Sequence, residues 1–447
     1  MLGAGRAHQK CNAAGDRDSP PWCLDSPVRR VLCGCGPVHY RDPVTSVGYT
    51  YRSRRPRDRL DKGFAAPMPP PFDLAIVGLG AVGGAALLAA ARAGARVIGI
   101  DRFEPPHAFG SSHGETRIVR AAIGEGAEYT PFAQRSFELW DQLSAETGET
   151  LVNRCGLLVL GGVLPHATHV PLGFLETTIA AAQSFGIAHE ILTAAEVRTR
   201  FPAYATFDRE RAYFEPGAGM AYPERVVLAQ LARARALGAQ VRVNATVMSI
   251  DKDRGGVVIR THSEAIRATR VVLAAGAWIP GFLPAPDARH LTVTRQTLHW
   301  FAPPPNSSDY EPERMPVFIW NDLYGFPIAA PGSGVKVATE SLDAITHPDD
   351  VRRDVGGGDI DIVTPRVRAA FPRLGAHLRG ATCLYTSTPD FNFWVGPHPD
   401  IENVTVVSAC SGHGFKHAAA LGEAVAGSAL SIQTAVFPKS WNATRFS

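Results

Sequence analysis

Residues 72–101 constrain the fold more tightly than any other part of the chain. Leu74-Ala75-Ile76-Val77 is a short apolar run of the kind that a strand buried on both faces requires. GLGAVGG follows, then an Ala/Leu-rich segment that reads as a helix ending at Gly94, then a second apolar run from Arg96 to Ile100 closed by Asp101. The pattern predicts a βαβ unit. Within it, Gly78-x-Gly80-x-x-Gly83 has a physical reading. Two glycines let the backbone turn tightly and approach a pyrophosphate, the third lets helix and strand pack closely, and the helix amino terminus favours an anion. Asp101, 23 residues after Gly78, is placed to accept hydrogen bonds from a ribose. The unit therefore binds a dinucleotide, but this motif does not separate NAD from FAD.

A chain of 447 residues, 45% of them hydrophobic, can bury a full core and suggests two or three domains. It has no uninterrupted apolar stretch of about 18 residues and no secretory signal, so no membrane partner is expected and the cytoplasm is the expected location. The formal charge of +3 is uneven: residues 1–67 hold 12 Lys/Arg against 6 Asp/Glu, leaving 33 against 36 in the rest. A slightly acidic body excludes nucleic acid as the expected partner. Cys11, Cys23, Cys33 and Cys35 fall in this basic leader, and only Cys155, Cys383 and Cys410 follow. That scarcity argues for a reducing compartment. The leader lacks paired Cys or Cys/His spacing, so no metal site is expected. It reads as a disordered or spurious extension over 1–71, with the functional chain starting near Met68.

Further along, Thr130 and Pro131 read as the cap and first residue of a helix stopped by Gly148, and a second helix spans Pro223 to about Leu237. The strands QVRVNATV, GVVIRT and RVVLAAG come next, the last turning at Ala275 and Gly276; near the end VTVVSAC leads straight into a helix opened by SGHGFK. Two less regular regions interrupt this series. The expected division is 72–152, 213–288 and 389–435 for a nucleotide-binding domain, 153–212 and 289–388 for a second domain inserted into it, and 436–447 for a tail.

The charged stretch GSSHGETRIVR (110–120) is the next informative one. Together with GEG (124–126), LYGFP (323–327), VKV (335–337), CLYT (383–386) with Pro389-Asp390, and SGHGFK (411–416), it resembles the monomeric sarcosine oxidase, N-methyltryptophan oxidase and pipecolate oxidase group of flavoprotein amine oxidases, within the D-amino acid and glycine oxidase superfamily. The matches fall in the group's order and extend over 72–431. The resemblance implies an α/β fold: an FAD-binding, Rossmann-like domain of the two-dinucleotide-binding type, carrying an α+β substrate domain built on a mixed sheet. It implies FAD, a small amino-acid substrate, dioxygen, and a monomer.

Residue by residue, the resemblance implies a thioether between Cys383 and the flavin; otherwise a lone cysteine is a small buried hydrophobe. Arg120 and Lys416 form a carboxylate clamp, a role that suits a planar guanidinium beside an ammonium. Arg117 lies over the flavin ring, and would share a face with Arg120 if the segment is helical. The alternative for the arginines is pairing with Glu115 and Glu125. His113 is either the group's flavin-site histidine or a core histidine satisfied by backbone. Lys336 is the cation that assists reaction with dioxygen, against the plain reading of a strand-edge lysine in water. Ser111, Ser112, Thr116, Val247, Ala275, Gly276, Gly412, Gly414 and Phe415 join Gly78, Gly80, Gly83 and Asp101 as cofactor contacts. At His413 the backbone matters more than the ring. Tyr324, catalytic and substrate-facing, and Trp320 are the aromatics expected to wall the pocket.

One departure stands out. Four residues after the lysine the group has a pocket histidine, whereas this chain has Glu340, which leaves the substrate open. The resulting expectation is an FAD-dependent oxidase of secondary-amine amino acids, giving an imine and hydrogen peroxide. A dehydrogenase with another electron acceptor, a cyclic imino-acid oxidase, an NAD-dependent enzyme and a non-catalytic FAD scaffold are the alternatives.

Overall fold

The computed structural model describes residues 71–161, 173–206, 208, 210–432 and 436–446. The leader expectations, including those for its four cysteines, lie outside the described residues. The βαβ unit forms as its sequence requires: β1 (Phe72–Val77), α1 (Ala81–Arg92) and β2 (Val97–Ile100). Leu74, Ala75 and Ile76 are fully buried, as a strand covered on both faces must be.

Among the described residues the strands make two eight-stranded sheets and one of three strands. The first sheet has a parallel core in the order Val404–Ser408, Ala265–Leu273, β1, β2, Gln240–Arg242. Its carboxyl-terminal edge carries Gly78, Asp101 and the turn that follows Ser408, so one crevice collects all three. Helix α1 packs against Ala418–Ala429 so closely that a Cβ on Gly422 would come within 2.4 Å of the Ala85 Cβ. Two expectations need correction here. QVRVNATV is not one strand: it ends at Arg242, and a new strand, Val247–Asp253, pairs with Gly256–Thr261. Thr130 is not a side-chain cap, because the helix Thr130–Thr147 is preceded by Tyr129 and the Thr130 hydroxyl is buried without a hydrogen-bond partner among the described residues.

The second sheet runs His377–Ser387, Thr292–Phe301, Val335–Thr339, Leu323–Phe326, Val317–Trp320, Leu157–Gly161, Arg211–Glu215, Glu190–Thr193. The strand Arg211–Glu215 crosses the expected 212/213 boundary and belongs here, pairing with Leu157–Gly161. The small sheet joins Arg117–Val119 to Gly219–Ala221. The segment carrying the two arginines is therefore extended, not helical, and strand alternation sends their side chains to different partners. At the far end the tail is anchored: Trp441 is fully buried among Tyr129, Phe132 and Phe393. Among the described residues no helix is long and apolar enough to cross a membrane, and no cluster of His, Cys, Asp or Glu is placed to hold a metal.

Candidate active site

A cavity of about 740 Å³ runs from the crevice of the first sheet to one face of the second. At the crevice end the glycines do what their spacing requires. Gly78 has φ +91°, and a Cβ there would lie 2.5 Å from the Ala274 carbonyl oxygen; one on Gly83 would lie 1.8 Å from the Gly78 oxygen. Both positions exclude every other residue. The Leu79 N–H donates to Asp101 Oδ2 at 2.7 Å and the Phe103 N–H to Oδ1 at 2.9 Å, so the carboxylate braces the turn while still lining the cavity. Ser112 Oγ accepts from the Ala81 N–H at the start of α1, at 3.1 Å.

Strand pairing builds the other end. Lys336 pairs with both Trp300 and Phe326, Ala338 with Leu298 and Tyr324, and Gln296 with Cys383. Directly paired residues share a face and alternate positions along a strand share it too. Tyr324, Phe326, Lys336, Cys383 and Tyr385 therefore all project from one side of the second sheet. Trp320 takes the opposite side: its indole donates to Glu210 at 2.8 Å and its ring packs near Phe371. The expected aromatic wall is made instead by Tyr324 and Tyr385, whose hydroxyls are 3.2 Å apart. Burial pushes the Tyr324 phenol up to about 12.

The residues singled out in the sequence converge, but in two layers. Gly78, Gly80, Asp101, Ser111, Ser112, Arg117, Arg120, Val247, Ala275, Gly276, Tyr324, Gly412, Gly414, Phe415 and Lys416 line the cavity. Gly83, His113, Thr116, Lys336 and Cys383 stand behind that lining. Lys336 is 2% exposed, which excludes the solvent-edge reading. Its ammonium donates to Gly114 O at 2.7 Å, Thr116 O at 2.9 Å and Thr116 Oγ1 at 3.2 Å. Burial, then the Arg117 charge, push its pKa well below the usual lysine range. The loop supplying these oxygens is fixed by Glu224, which accepts from the N–H groups of Gly114 at 2.6 Å and Glu115 at 3.1 Å.

Arg117 donates to Ser111 O at 2.7 Å, to Thr116 O at 2.8 Å and to Cys383 Sγ at 3.3 Å. It does not pair with Glu115, which takes the Trp300 indole at 3.0 Å and Arg379. His113 is 5% exposed and its Nε2 has no hydrogen-bond partner among the described residues. Burial and the charges of Arg117 and Lys336 bring its pKa down to about 3. The ring is therefore neutral, and the backbone-satisfied reading leaves that nitrogen unexplained.

Arg120 pairs with Glu125 and donates to Ala122 O, and its Nε is buried without a partner among the described residues. Lys416 donates to Glu125 Oε1 at 3.0 Å and to His413 O at 2.8 Å. One carboxylate thus joins two buried cations, leaving a net charge of +1 on the trio. Glu125 was visible in the sequence only as a possible partner of an arginine. Tyr385 was visible in the sequence only as part of CLYT, with no role given to its ring, and Glu224 carried no signal, because each reaches the site through tertiary structure.

Residues 73–427 match the family model described as FAD dependent oxidoreductase, DAO. The chain is 34% identical over 376 residues to monomeric sarcosine oxidase of Streptomyces avermitilis, an alignment covering 82% of this chain and 96% of that protein. It is 35% identical over 362 residues to N-methyl-L-tryptophan oxidase of Yersinia pestis, covering 79% and 94%. Among solved structures, NikD, described as an unusual amino acid oxidase, superimposes with a TM-score of 0.72 at 23% identity, covering 83% of this chain and 97% of that one. Glycine oxidase of Geobacillus kaustophilus does so at 0.67 and 20%, covering 84% and 98%. These two likenesses establish the fold.

Proposed function

The chain belongs to the FAD dependent oxidoreductase family, and on that premise we propose that it oxidises a secondary-amine amino acid, sarcosine or another N-methyl amino acid, to an imine. Dioxygen is the proposed acceptor and hydrogen peroxide the second product. The carrying observation is the trio of Arg120, Glu125 and Lys416 on the wall of a cavity continuous with a dinucleotide crevice. Its residual positive charge suits one more carboxylate, that of the substrate.

The residues present fit FAD. The Gly78 turn and the start of α1 suit its pyrophosphate, Asp101 its ribose, and the orphaned His113 Nε2 a polar group of its ring system. When bound, FAD supplies the two-electron acceptor. Arg120 and Lys416 hold the substrate carboxylate and so orient the adjacent C–N bond, which is where a positioned site gains most. Lys336 carries a charge that its surroundings disfavour. An anion forming near it, such as dioxygen taking up an electron from reduced FAD, would favour that charge and be stabilised by it. The imine leaves and is hydrolysed by water.

Cys383 is the proposed point of a thioether to FAD. The Arg117 guanidinium donates to its sulfur at 3.3 Å and so fixes where it points. The proposed division of labour gives the first sheet to the nucleotide end of the cofactor, while the second sheet and the segments around Arg120 and Lys416 close on its ring end and the substrate. A monomer is proposed, and the unpaired thiols of Cys155 and Cys410 suit a proposed cytoplasmic location. An oxygen electrode and a peroxide assay with sarcosine, N-methyltryptophan and pipecolate test the reaction. Uptake of one dioxygen per peroxide released is expected; substrate-dependent bleaching of the yellow colour without oxygen uptake would replace the oxidase with a dehydrogenase. Acid denaturation should leave the colour on the polypeptide and release it from Cys383→Ala.

A further inference from the structure

Gly114 and Glu115 both lie in the left-handed region, at φ +93° and +69°. The Thr116 N–H donates to Gly114 O at 2.8 Å across Glu115. The three residues are therefore a γ-turn with positive φ at its centre, the rare and strained form. A residue with a side chain stays in such a conformation only where its surroundings over-determine it.

Two carboxylates do so here. Glu224, in the first turn of the helix Pro223–Ala236, offers one oxygen, Oε1, to both the Gly114 N–H at 2.6 Å and the Glu115 N–H at 3.1 Å. The carboxylate of Glu115 itself reaches the second sheet, where it accepts from the Trp300 indole at 3.0 Å and from Arg379. The Arg379 guanidinium lies over the Trp300 ring, 3.8 Å from its centroid. The turn is thus pinned from a helix on one side and from a sheet on the other.

What the strained shape achieves is convergence. In an extended chain the carbonyl oxygens of residues two apart point the same way but stand about 6.6 Å from each other, farther than one ammonium can span. The turn brings Gly114 O and Thr116 O to 2.7 and 2.9 Å from the Lys336 Nζ, with Thr116 Oγ1 at 3.2 Å. An ammonium has three N–H donors, and this seat takes all three. Glu224 does not line the cavity, so whatever it does there it does through the turn.

We propose that Glu224 is a positioning residue for Lys336: it holds residues 114–116 in the shape that seats the ammonium, and through that seat it sets how fast the reduced enzyme reacts with dioxygen. This deepens the reading above and rests on Lys336 assisting that step, in which dioxygen takes two electrons from reduced FAD, and two protons, to give hydrogen peroxide.

The holoenzyme reduced anaerobically with dithionite and then mixed with dioxygen gives the reoxidation rate with no amine substrate present. Glu224→Ala removes the acceptor and should slow that rate by about tenfold, part of the loss expected of Lys336→Met. Glu224→Gln keeps an oxygen for the same two N–H groups and should recover to within about threefold of the parent enzyme. Added to Lys336→Met, Glu224→Ala should cost less than about twofold more, because the seat then has no ammonium to place. Should Glu224→Ala purify without FAD, Glu224→Asp, which shortens the reach, takes its place with the same expectations. A second measurement needs no redox chemistry: amide hydrogen exchange in peptides spanning 110–120 should quicken by about tenfold or more in Glu224→Ala and stay near the parent rate in Glu224→Gln. Slowings that multiply in the double variant would overturn the proposal, since Glu224 would then act apart from Lys336. Unchanged exchange in Glu224→Ala would overturn it as well, and so would a Glu224→Gln as slow to reoxidise as Glu224→Ala, since charge and not grip would then matter. Unchanged reoxidation in Lys336→Met, with the exchange contrast intact, would instead sink the dioxygen role of Lys336 and leave Glu224 as the anchor of its seat.

Discussion

The two ends of the cavity are built from different materials. At the crevice end the working groups are backbone N–H groups and the absence of side chains, arranged within 30 residues of sequence by β1, α1 and β2. At the sheet end they are charged and polar side chains drawn from 113–125, 324–340, 383–385 and 411–416, held by oxygens of one another's segments and of Glu224. The first construction is rigid and intolerant of added atoms. The second depends on charge balance in a buried place, where removing one partner exposes the cost of the other.

The largest effects should come from breaking the crevice. Gly83→Ala places a Cβ 1.8 Å from the Gly78 oxygen, which no local shift of a side chain can relieve. The variant should purify without FAD and with a markedly lower Tm, checked by the visible spectrum and thermal unfolding. Gly94→Ala is the control within the same unit. Gly94 has φ +75° but nothing within 4 Å of its missing Cβ, so only conformational strain of about 1–2 kcal/mol is expected and the cofactor should stay. Equal loss of colour in both would mean that backbone strain, and not close approach, is what the glycines serve.

Breaking the sheet end should leave the fold and remove single steps. Lys336→Met deprives Gly114 O and Thr116 O of a donor, a cost of about 1–3 kcal/mol. Its main consequence should be a roughly 100-fold slower reaction of the reduced enzyme with dioxygen, while anaerobic reduction by substrate changes by only a few fold; stopped-flow absorbance separates the two. Comparable slowing of both would assign Lys336 to substrate handling. Arg120→Lys keeps the charge and loses the planar fork. A rise in KM of about tenfold or more, with a smaller fall in kcat, is expected from steady-state kinetics. An unchanged KM would move the clamp elsewhere.

This contrast also explains what could be read from the sequence. The crevice was legible because its construction depends on local spacing: Gly78, Gly80, Gly83 and Asp101 lie on consecutive elements, and Gly78 and Gly83 stand where a Cβ would meet backbone. The second sheet was not readable that way. Nothing in a linear string tells that Lys336 faces inward while Trp320, on a nearby strand, faces the core; that follows from register, which long-range pairing sets. The helical face expected for Arg117 and Arg120 failed for the same reason, because pairing with Gly219–Ala221 across about 100 residues makes the segment a strand. Likeness to a family placed the charged residues together, yet Glu125 was seen only as a neutraliser. Its position between Arg120 and Lys416 makes it part of the proposed clamp, holding two like charges together.

The smallest effect is the most diagnostic of that clamp. Burial lowers the Lys416 ammonium from its ordinary 10.5 to about 8, with Glu125 pulling in the opposite direction. Below about pH 8 the trio keeps its net positive charge. As pH rises through 8 the ammonium loses its proton, and substrate affinity should fall, seen as a decline in kcat/KM that Lys416→Met lacks. Stability should move the other way. Between pH 8 and 10.5 the unfolded chain binds more protons at this position than the folded one, so unfolding free energy rises with pH across that window. The penalty for burying the charge is fully present below 8 and is relieved above it. Lys416→Met should flatten both trends together, measured as kcat/KM and as urea midpoints over the same pH series. Persistence of the kinetic decline in Lys416→Met would place the titrating group outside the clamp.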